Sequence, residues 1–500
     1  MIVKDFGDMR IGTTPLSKLY YGHDLIWKRE DEDSDSDILI ITTINTNYFQ
    51  IPRINTTYGF NGTADMGDGK VFQYNNYPIY YEYNYSDSWE IKIDAPLTAI
   101  VDSAFTGDYT RDLIKEIIIP KGVTSIGNSA FRNSLNLTKV SLSGTVTTIG
   151  SYAFSGCNKL KSVIFGKSVK TAGYISTSAF SGCSSLTSIK IPDGVTGIGF
   201  YAFYNCSSLL SVAIPNSVTN IDNWAFSGCS SLTTATIPTS VTKIGEYAFY
   251  NCSSLASPIE IPDGVTIIEK HTFSGCSSLT SVIIGEYVTK IREYAFWKCS
   301  SLTSITIPNS VTSIEKYAIY VCRGLKEIKV NEGNEYYKDI DGILFNKDET
   351  TLVTFPSQYP LTEYVIPNSV TNVGFNAFGY CENLTSITIP DSVTTIEASA
   401  FYWCSNLTSI TIPDSVTIIS QSTFAACTRL TSITIPNSVT TIRIYAFSGC
   451  SSLTEITIPP SVKDIQGYAF RDTKLTSVTI AQDCRYESDS FPAGCVINRY

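Results

Sequence analysis

The chain has 500 residues, a formal net charge of −10 and 43% hydrophobic residues, with 36 Lys and Arg against 46 Asp and Glu. No basic run is present, which argues against nucleic acid and anionic lipid as partners, because both need a Lys/Arg footprint. No stretch of 18 consecutive apolar residues occurs, so the sequence predicts no membrane-inserted segment.

Residues 1–30 read as a separate N-terminal module for attachment. The segment KLYYGHDLIWKRE predicts a small hairpin turning at Gly22-His23-Asp24, with Leu19, Tyr21, Leu25 and Trp27 on its strands. The N-terminus lacks a basic start followed by an apolar stretch, so no secretory signal peptide is expected. Residues 31–37, DEDSDSD, read as a solvated acidic linker. Asp31, Asp33, Asp35 and Asp37 mimic half of an EF-hand loop, but the Gly is missing and Thr42 stands where Glu is needed.

Residues 38–94 are rich in Tyr, Asn, Ile and Thr and alternate in short runs such as Trp89-Glu90-Ile91-Lys92-Ile93. With turn signals at Asn61-Gly62 and Asp68-Gly69, they predict a small all-β sandwich.

From residue 95 one sentence recurs: L-x-x-I-x-I-P-x-S-V-T-x-I-x-x-Y-A-F-x-x-C-S-S. Cysteines at 157, 183, 206, 229, 252, 276, 299, 322, 381, 404, 427 and 450 mark its register, and eight of their eleven gaps are 23 residues. Such a period is the signature of a repeat solenoid, in which each unit buries its apolar face only against its neighbours. The run L-x-x-I-x-I predicts a strand ended by Pro, and Val and Ile of V-T-x-I continue the core. Ala, Phe and Cys share one face if Y-A-F-x-x-C makes a short helical or 3₁₀ turn. The cysteines then form a reduced apolar ladder, not a disulfide or metal framework.

Between Cys322 and Cys381 the period is interrupted by 36 extra residues. Turns at Asp341-Gly342 and Asn346-Lys347-Asp348 predict hairpins, read as an insertion over about 323–366 bulging from one edge of the solenoid. Residues 481–500 cap the stack, with Phe491 marking a degenerate last turn and Cys484 and Cys495 a candidate pair.

No catalytic constellation stands out. His23 and His271 have no nucleophile at a telling spacing, no phosphate-binding glycine loop occurs, and no carboxylate pair is set apart. The chain reads as non-enzymatic, with no cofactor and no metal site. The candidate ligand-binding residues are aromatics with polar tips: Tyr201, Trp224, Tyr247, Tyr294 and Tyr317 in the column before Ala, and Trp297 in the column after Phe. The outward strand positions are monotonous Ser and Thr, as hydroxyl ladders suited to sheet pairing or to polar surfaces.

Three resemblances follow from these motifs. The repeat resembles the BspA-type leucine-rich repeat of bacterial surface proteins over about 96–480, which implies a curved right-handed superhelix and adhesion to host or matrix proteins. NYFQIP, ADMGDG and YEYNYSDSWEIKI over 47–93 resemble PKD-like domains, which implies a spacer. K-L-Y-Y-G-H-D-L-I-W resembles segments that open phage structural proteins. Two settings are therefore expected: a virion fibre or decoration protein that binds host surface or glycan, favoured because no signal peptide is visible, or a bacterial cell-surface adhesin. A glycan-degrading enzyme is the remaining class. The expected partner is a cell-surface protein or glycan, with residues 1–30 as a virion or self-assembly contact.

Overall fold

A computed structural model describes residues 38–54, 62–107, 110–166 and 173–500, together with the backbone of four short strands within 1–37. The acidic stretch 31–37, with its EF-hand-like spacing, lies outside the described residues. Strands Lys18–Tyr21 and Asp24–Lys28 pair antiparallel, as the hairpin reading expects, while Gly22 and His23 lie outside the described residues. The chain divides into two compact units, residues 1–209 and 210–500.

In the first unit, Leu39–Thr43 is the hinge of the architecture. One edge pairs antiparallel with Glu90–Asp94, and the other pairs antiparallel with Ile114–Ile119, the first strand of the repeats. From there every pairing is parallel: Ile114–Ile119 to Lys139–Leu142, then Ser162–Phe165, then Ser188–Lys190. The predicted strand at 89–93 is present, with Ile91 and Ile93 buried and their neighbours exposed. Gly62–Asp65 and Val71–Tyr74 extend the far edge, and Thr46–Ile51 pairs separately with Ile79–Asp87. The Trp89 indole stacks on Tyr83 at 4.3 Å and donates to the Thr46 carbonyl.

The second unit repeats one rung. In the rung around Cys427, Leu407, Ile410 and Ile412 point inward from the first strand, while Ser409 and Thr411 face solvent. Pro413 ends that strand and accepts a turn bond from Val416 N–H at 3.0 Å. Val416 and Ile419 continue the core from a two-residue second strand. Phe424 and Cys427 complete it, all nearly inaccessible to water. Each such side chain contributes about 1.5–3 kcal/mol of burial free energy, realised only when the next rung covers it.

The polar letters of the repeat are structural too. Ser438 Oγ donates to the Val416 carbonyl of the preceding rung at 2.7 Å, as Ser392 does to Val370 at 2.8 Å. Thr385, Thr408 and Thr431 donate through their hydroxyls to Thr362, Thr385 and Thr408 carbonyls at 3.0–3.2 Å. The Thr hydroxyls one residue before each first strand, and the Ser hydroxyls after its Pro, are therefore engaged rung to rung.

The expected helical or 3₁₀ turn is not formed, and no helix exists among the described residues. The reason is backbone hand. Tyr247 and Asn251 have φ of 58° and 57°, in the left-handed region, and the equivalent pair recurs in rung after rung. Each reversal interrupts helical propagation, leaving isolated i→i+3 turns such as Tyr250 N–H to Tyr247 C=O at 3.1 Å. The N–H groups of Tyr247, Phe249 and Asn251 point instead at the next rung, donating to Lys270, Thr272 and Ser274 carbonyls at 2.8–3.0 Å. This third ladder, added to the two strand ladders, satisfies the turn backbone without a helix.

The residues between Cys322 and Cys381 also differ from expectation. The hairpin Tyr337–Ile340 and Ile343–Asn346 is present, turning at Asp341-Gly342. It does not bulge away from the stack. Thr351–Thr354 pairs antiparallel with Ile343–Asn346 and parallel with Asn372–Val373, so it serves as the second strand of its own rung. Phe355 then stacks on Phe378 at 4.9 Å, and Phe345 and Leu352 are fully buried. The extra length is accommodated because its apolar residues enter the common core.

Candidate functional site

Three columns run along the turn side of the rungs. The innermost is the phenylalanine spine. In the second unit Phe378, Phe401, Phe424, Phe447, Phe470 and Phe491 stack at 5.1–5.4 Å between neighbours, so Phe491 does close the array.

Beside it lie the cysteines. All fourteen are free thiols. Ladder thiols donate to the Phe carbonyl of the preceding rung: Cys206 Sγ to Phe180 at 3.2 Å, Cys276 to Phe249 at 3.2 Å, Cys427 to Phe401 at 3.2 Å. The position is thus more than the apolar rung the sequence implies, since it supplies a weak donor to a buried carbonyl. Burial pushes the Cys206, Cys276 and Cys427 thiols up to about 12. A thiol held protonated at neutral pH is neither a nucleophile nor a metal ligand. No group of three or more His, Cys, Asp or Glu suited to a metal ion occurs among the described residues.

The outer column contains the candidate binding residues. Trp224, Tyr247, His271, Tyr294 and Tyr317 stack face to face at 3.9, 4.4, 4.7 and 4.7 Å, with interplanar angles of 4–11°. All five occupy left-handed backbone, with φ of 55–62°. That conformation costs roughly 1–2 kcal/mol for a residue with a Cβ. A stacked neighbour returns about 0.5–1.5 kcal/mol beyond its area, so a ring stacked on both sides offsets its own strain. Tyr201 has the same left-handed backbone in the first unit and meets Tyr204 edge-on at 5.4 Å. Trp297, in the neighbouring column, meets Tyr294 edge-on at 6.0 Å and carries the Lys298 ammonium 4.2 Å over its ring.

This geometry changes what the column can bind. Ring faces in the Trp224–Tyr317 run are occupied by neighbouring rings, so a flat sugar cannot lie on them. Tyr247, Tyr294 and Tyr317 are each half-buried, so part of each side chain stays accessible beside the stacked faces. Charged residues flank them. Lys270 pairs with Glu293 at 3.0 Å, and Arg292 with Glu269 at 2.7 Å. Burial lowers the His271 pKa from its ordinary 6.5, so it is a neutral ring in the stack.

The stack ends at Tyr317. The next rung carries no aromatic at this position, because Leu352 is followed three residues later by Phe355, whereas Ile221 is followed five residues later by Phe226. The correspondence is fixed by bonding: Gly374 N–H donates to Leu352 C=O at 2.9 Å, as Gly245 N–H does to Ile221 at 2.8 Å. Two turn residues are missing, and a notch of about 220 Å³ takes their place, lined by Glu315, Tyr317, Ile319, Val353, Phe375 and Asn376, among others. Sequence reading missed this feature, although the Leu352–Phe355 spacing carries it.

The BspA-type leucine-rich repeat model matches over residues 79–175, 173–258, 256–359, 352–476 and 419–495, most of the chain. This chain belongs to the BspA-type leucine-rich repeat family. A leucine-rich cell surface protein from Faecalibacterium prausnitzii A2-165 is similar at 39% identity and a TM-score of 0.58, over 62% of this chain and 83% of that one. A leucine-rich repeat protein from Bacteroides ovatus ATCC 8483 is similar at 26% identity and a TM-score of 0.51, over 79% of this chain and 97% of that one. No curated protein matches. In this BspA-type chain no described helix is long and apolar enough to cross a membrane.

Proposed function

We propose that this protein is a bacterial cell-surface recognition and adhesion protein, and that it binds a polar macromolecular surface through the outer aromatic column. The observation that carries the reading is the unbroken stack from Trp224 to Tyr317, held on left-handed backbone with its three tyrosines half-buried. Tyr and Trp offer large contact area at little entropic cost and a polar tip for hydrogen bonding, which suits protein and glycan surfaces alike. The repeat family and the similar Faecalibacterium surface protein support a bacterial surface over a virion fibre. The virion reading draws on the short motif of residues 18–27. The repeats act as a non-catalytic scaffold, and residues 38–94 act as the spacer that hands off to it through Leu39–Thr43.

The test is adhesion of purified protein to cells or matrix from its niche. Tyr247→Phe with Tyr294→Phe keeps the stack and removes two phenol hydroxyls. Binding should fall at least tenfold at unchanged melting temperature. Unchanged binding would remove the column from the recognition surface.

A further inference from the structure

The large sheet of the first unit ends on an open strand. Val71–Tyr74 pairs antiparallel with Gly62–Asp65, and no described strand lies on its other edge. The turn fixes which backbone groups face that edge. Met66 N–H donates to the Lys70 carbonyl at 3.0 Å, and these two residues continue the register that sets Ala64 opposite Phe72. Bonded pairs alternate along an antiparallel ladder, so Phe72 and Tyr74 bond inward while Val71 and Gln73 turn their N–H and C=O groups to the open edge. Those groups make no hydrogen bond among the described residues. The side chains tell the same story. Leu39, Ile93, Ala64 and Phe72 form one row across four strands. The first three are 0% exposed, but Phe72 is 36% exposed because no strand follows it. Val71 is 59% exposed, and Gln73 also faces solvent. Natural edges are blunted by charge, proline, a bulge or a covering segment. Residues 71–74 carry no charge and no proline, and their pairing has no bulge.

We infer that this edge is a self-association site, at which a second copy of the chain adds its own Val71–Tyr74 strand antiparallel across a two-fold axis. Outward residues must oppose outward residues for the backbone groups to bond. The register that engages both Val71 and Gln73 of each strand sets Val71 opposite the second copy's Gln73, and Phe72 opposite its own equivalent. Each Val71–Gln73 pair then exchanges both N–H···O bonds, which satisfies the open backbone of both copies. The two Phe72 residues form the non-bonded pair between them, with Cα atoms ~4.5 Å apart, and their rings cover each other's exposed area. All three residues are neutral, so the pairing sets no like charges opposite one another. An unrelated strand would bond the backbone equally, but only a second copy brings the same apolar ring to the same place. The edge shares no residue with the aromatic column, so this inference stands apart from the adhesion reading.

The experiment is sedimentation equilibrium of the full chain over a concentration series, paired with cysteine crosslinking. Wild type should form a reversible dimer. Val71→Lys puts a charge on the open edge and should weaken that dimer at least tenfold. Phe72→Cys should give a disulfide-linked dimer on mild oxidation, because a Cα separation of ~4.5 Å lies within disulfide range. Val71→Cys should not, since each Val71 lies diagonally from its own equivalent at ~7–8 Å. Wild type sets the crosslinking background from its half-buried Cys495. Val71 is an exposed side chain, so Val71→Lys carries the test if Phe72→Cys does not fold. A chain that stays monomeric up to about 100 μM, a dimer that Val71→Lys leaves unchanged, or crosslinking of Val71→Cys as fast as that of Phe72→Cys would each overturn the inference.

Discussion

Raising the pH from about 7 to about 10 should destabilise the repeats through their thiols, and the size of the effect can be worked out for one rung. The Cys427 thiol is fully buried, and burial pushes it from 9.0 up to about 12. The folded state therefore holds its proton more tightly than the unfolded chain does. Stability from this group is complete below pH 9 and is lost as the pH climbs towards 12. At pH 10 the unfolded thiol is mostly ionised and the folded one is not, a loss of about 1.4 kcal/mol per thiol. Cys427→Ser isolates the term, because serine keeps a donor towards the Phe401 carbonyl and does not titrate in this range. Urea unfolding followed by circular dichroism should show the variant losing about 1.4 kcal/mol less than wild type between pH 7 and pH 10. Tyrosine ionisation is common to both proteins and cancels in the difference. Identical pH dependence would refute the buried, protonated ladder, as would wild-type stability that stays flat to pH 10.

Other perturbations follow from the same rungs. Phe401→Ala removes a fully buried ring stacked at 5.2 and 5.3 Å on its two neighbours, and should cost about 3–5 kcal/mol in urea unfolding. Tyr247→Gly should be more stable than Tyr247→Ala by about 1 kcal/mol, because only glycine occupies φ of 58° without strain; the reverse order would contradict the left-handed assignment. Gly275→Ala should destabilise by more than about 1 kcal/mol, since its φ is 78° and a Cβ would approach Asn251 Oδ1 to 2.2 Å. Arg292→Ala breaks a part-exposed pair with Glu269, and calorimetry should register no more than about 1 kcal/mol.

The repeat, its register and its core were legible because one degenerate sentence recurs with the same apolar spacing. The Leu, Ile, Val, Phe and Cys positions emerge as buried in nearly every rung, with Ile314 and Ile456 only partly covered. The hairpin turns in the interruption were legible from Asp341-Gly342, which takes positive φ at both residues. The turn conformation was not read correctly, because Ala, Phe and Cys share a face in a short helix and also in the observed succession of reversals. A signal was present. The residue before Cys is often Gly or Asn, as at Gly228, Asn251 and Gly275, and the column before Ala accepts Asn376, Ser399 and Ser422. Those are positions where side chains that tolerate left-handed backbone alternate with aromatics. The candidate site was half legible. Periodicity located the aromatic column, but it could not reveal that neighbouring rings consume one another's faces, since stacking distance depends on the rung-to-rung rise and the backbone hand together.

The central claim is that the aromatic column meets the partner while the Ser/Thr strand face belongs to the scaffold. Hydroxyl-radical footprinting of the full-length protein, free and bound to its target cells or matrix, tests this directly. Binding should protect Tyr247, Tyr294 and Tyr317 from oxidation and leave the exposed side chains Ile283 and Val365, on the first strands, unchanged. Protection of Ile283 and Val365, with the three tyrosines oxidised as in the free protein, would contradict it.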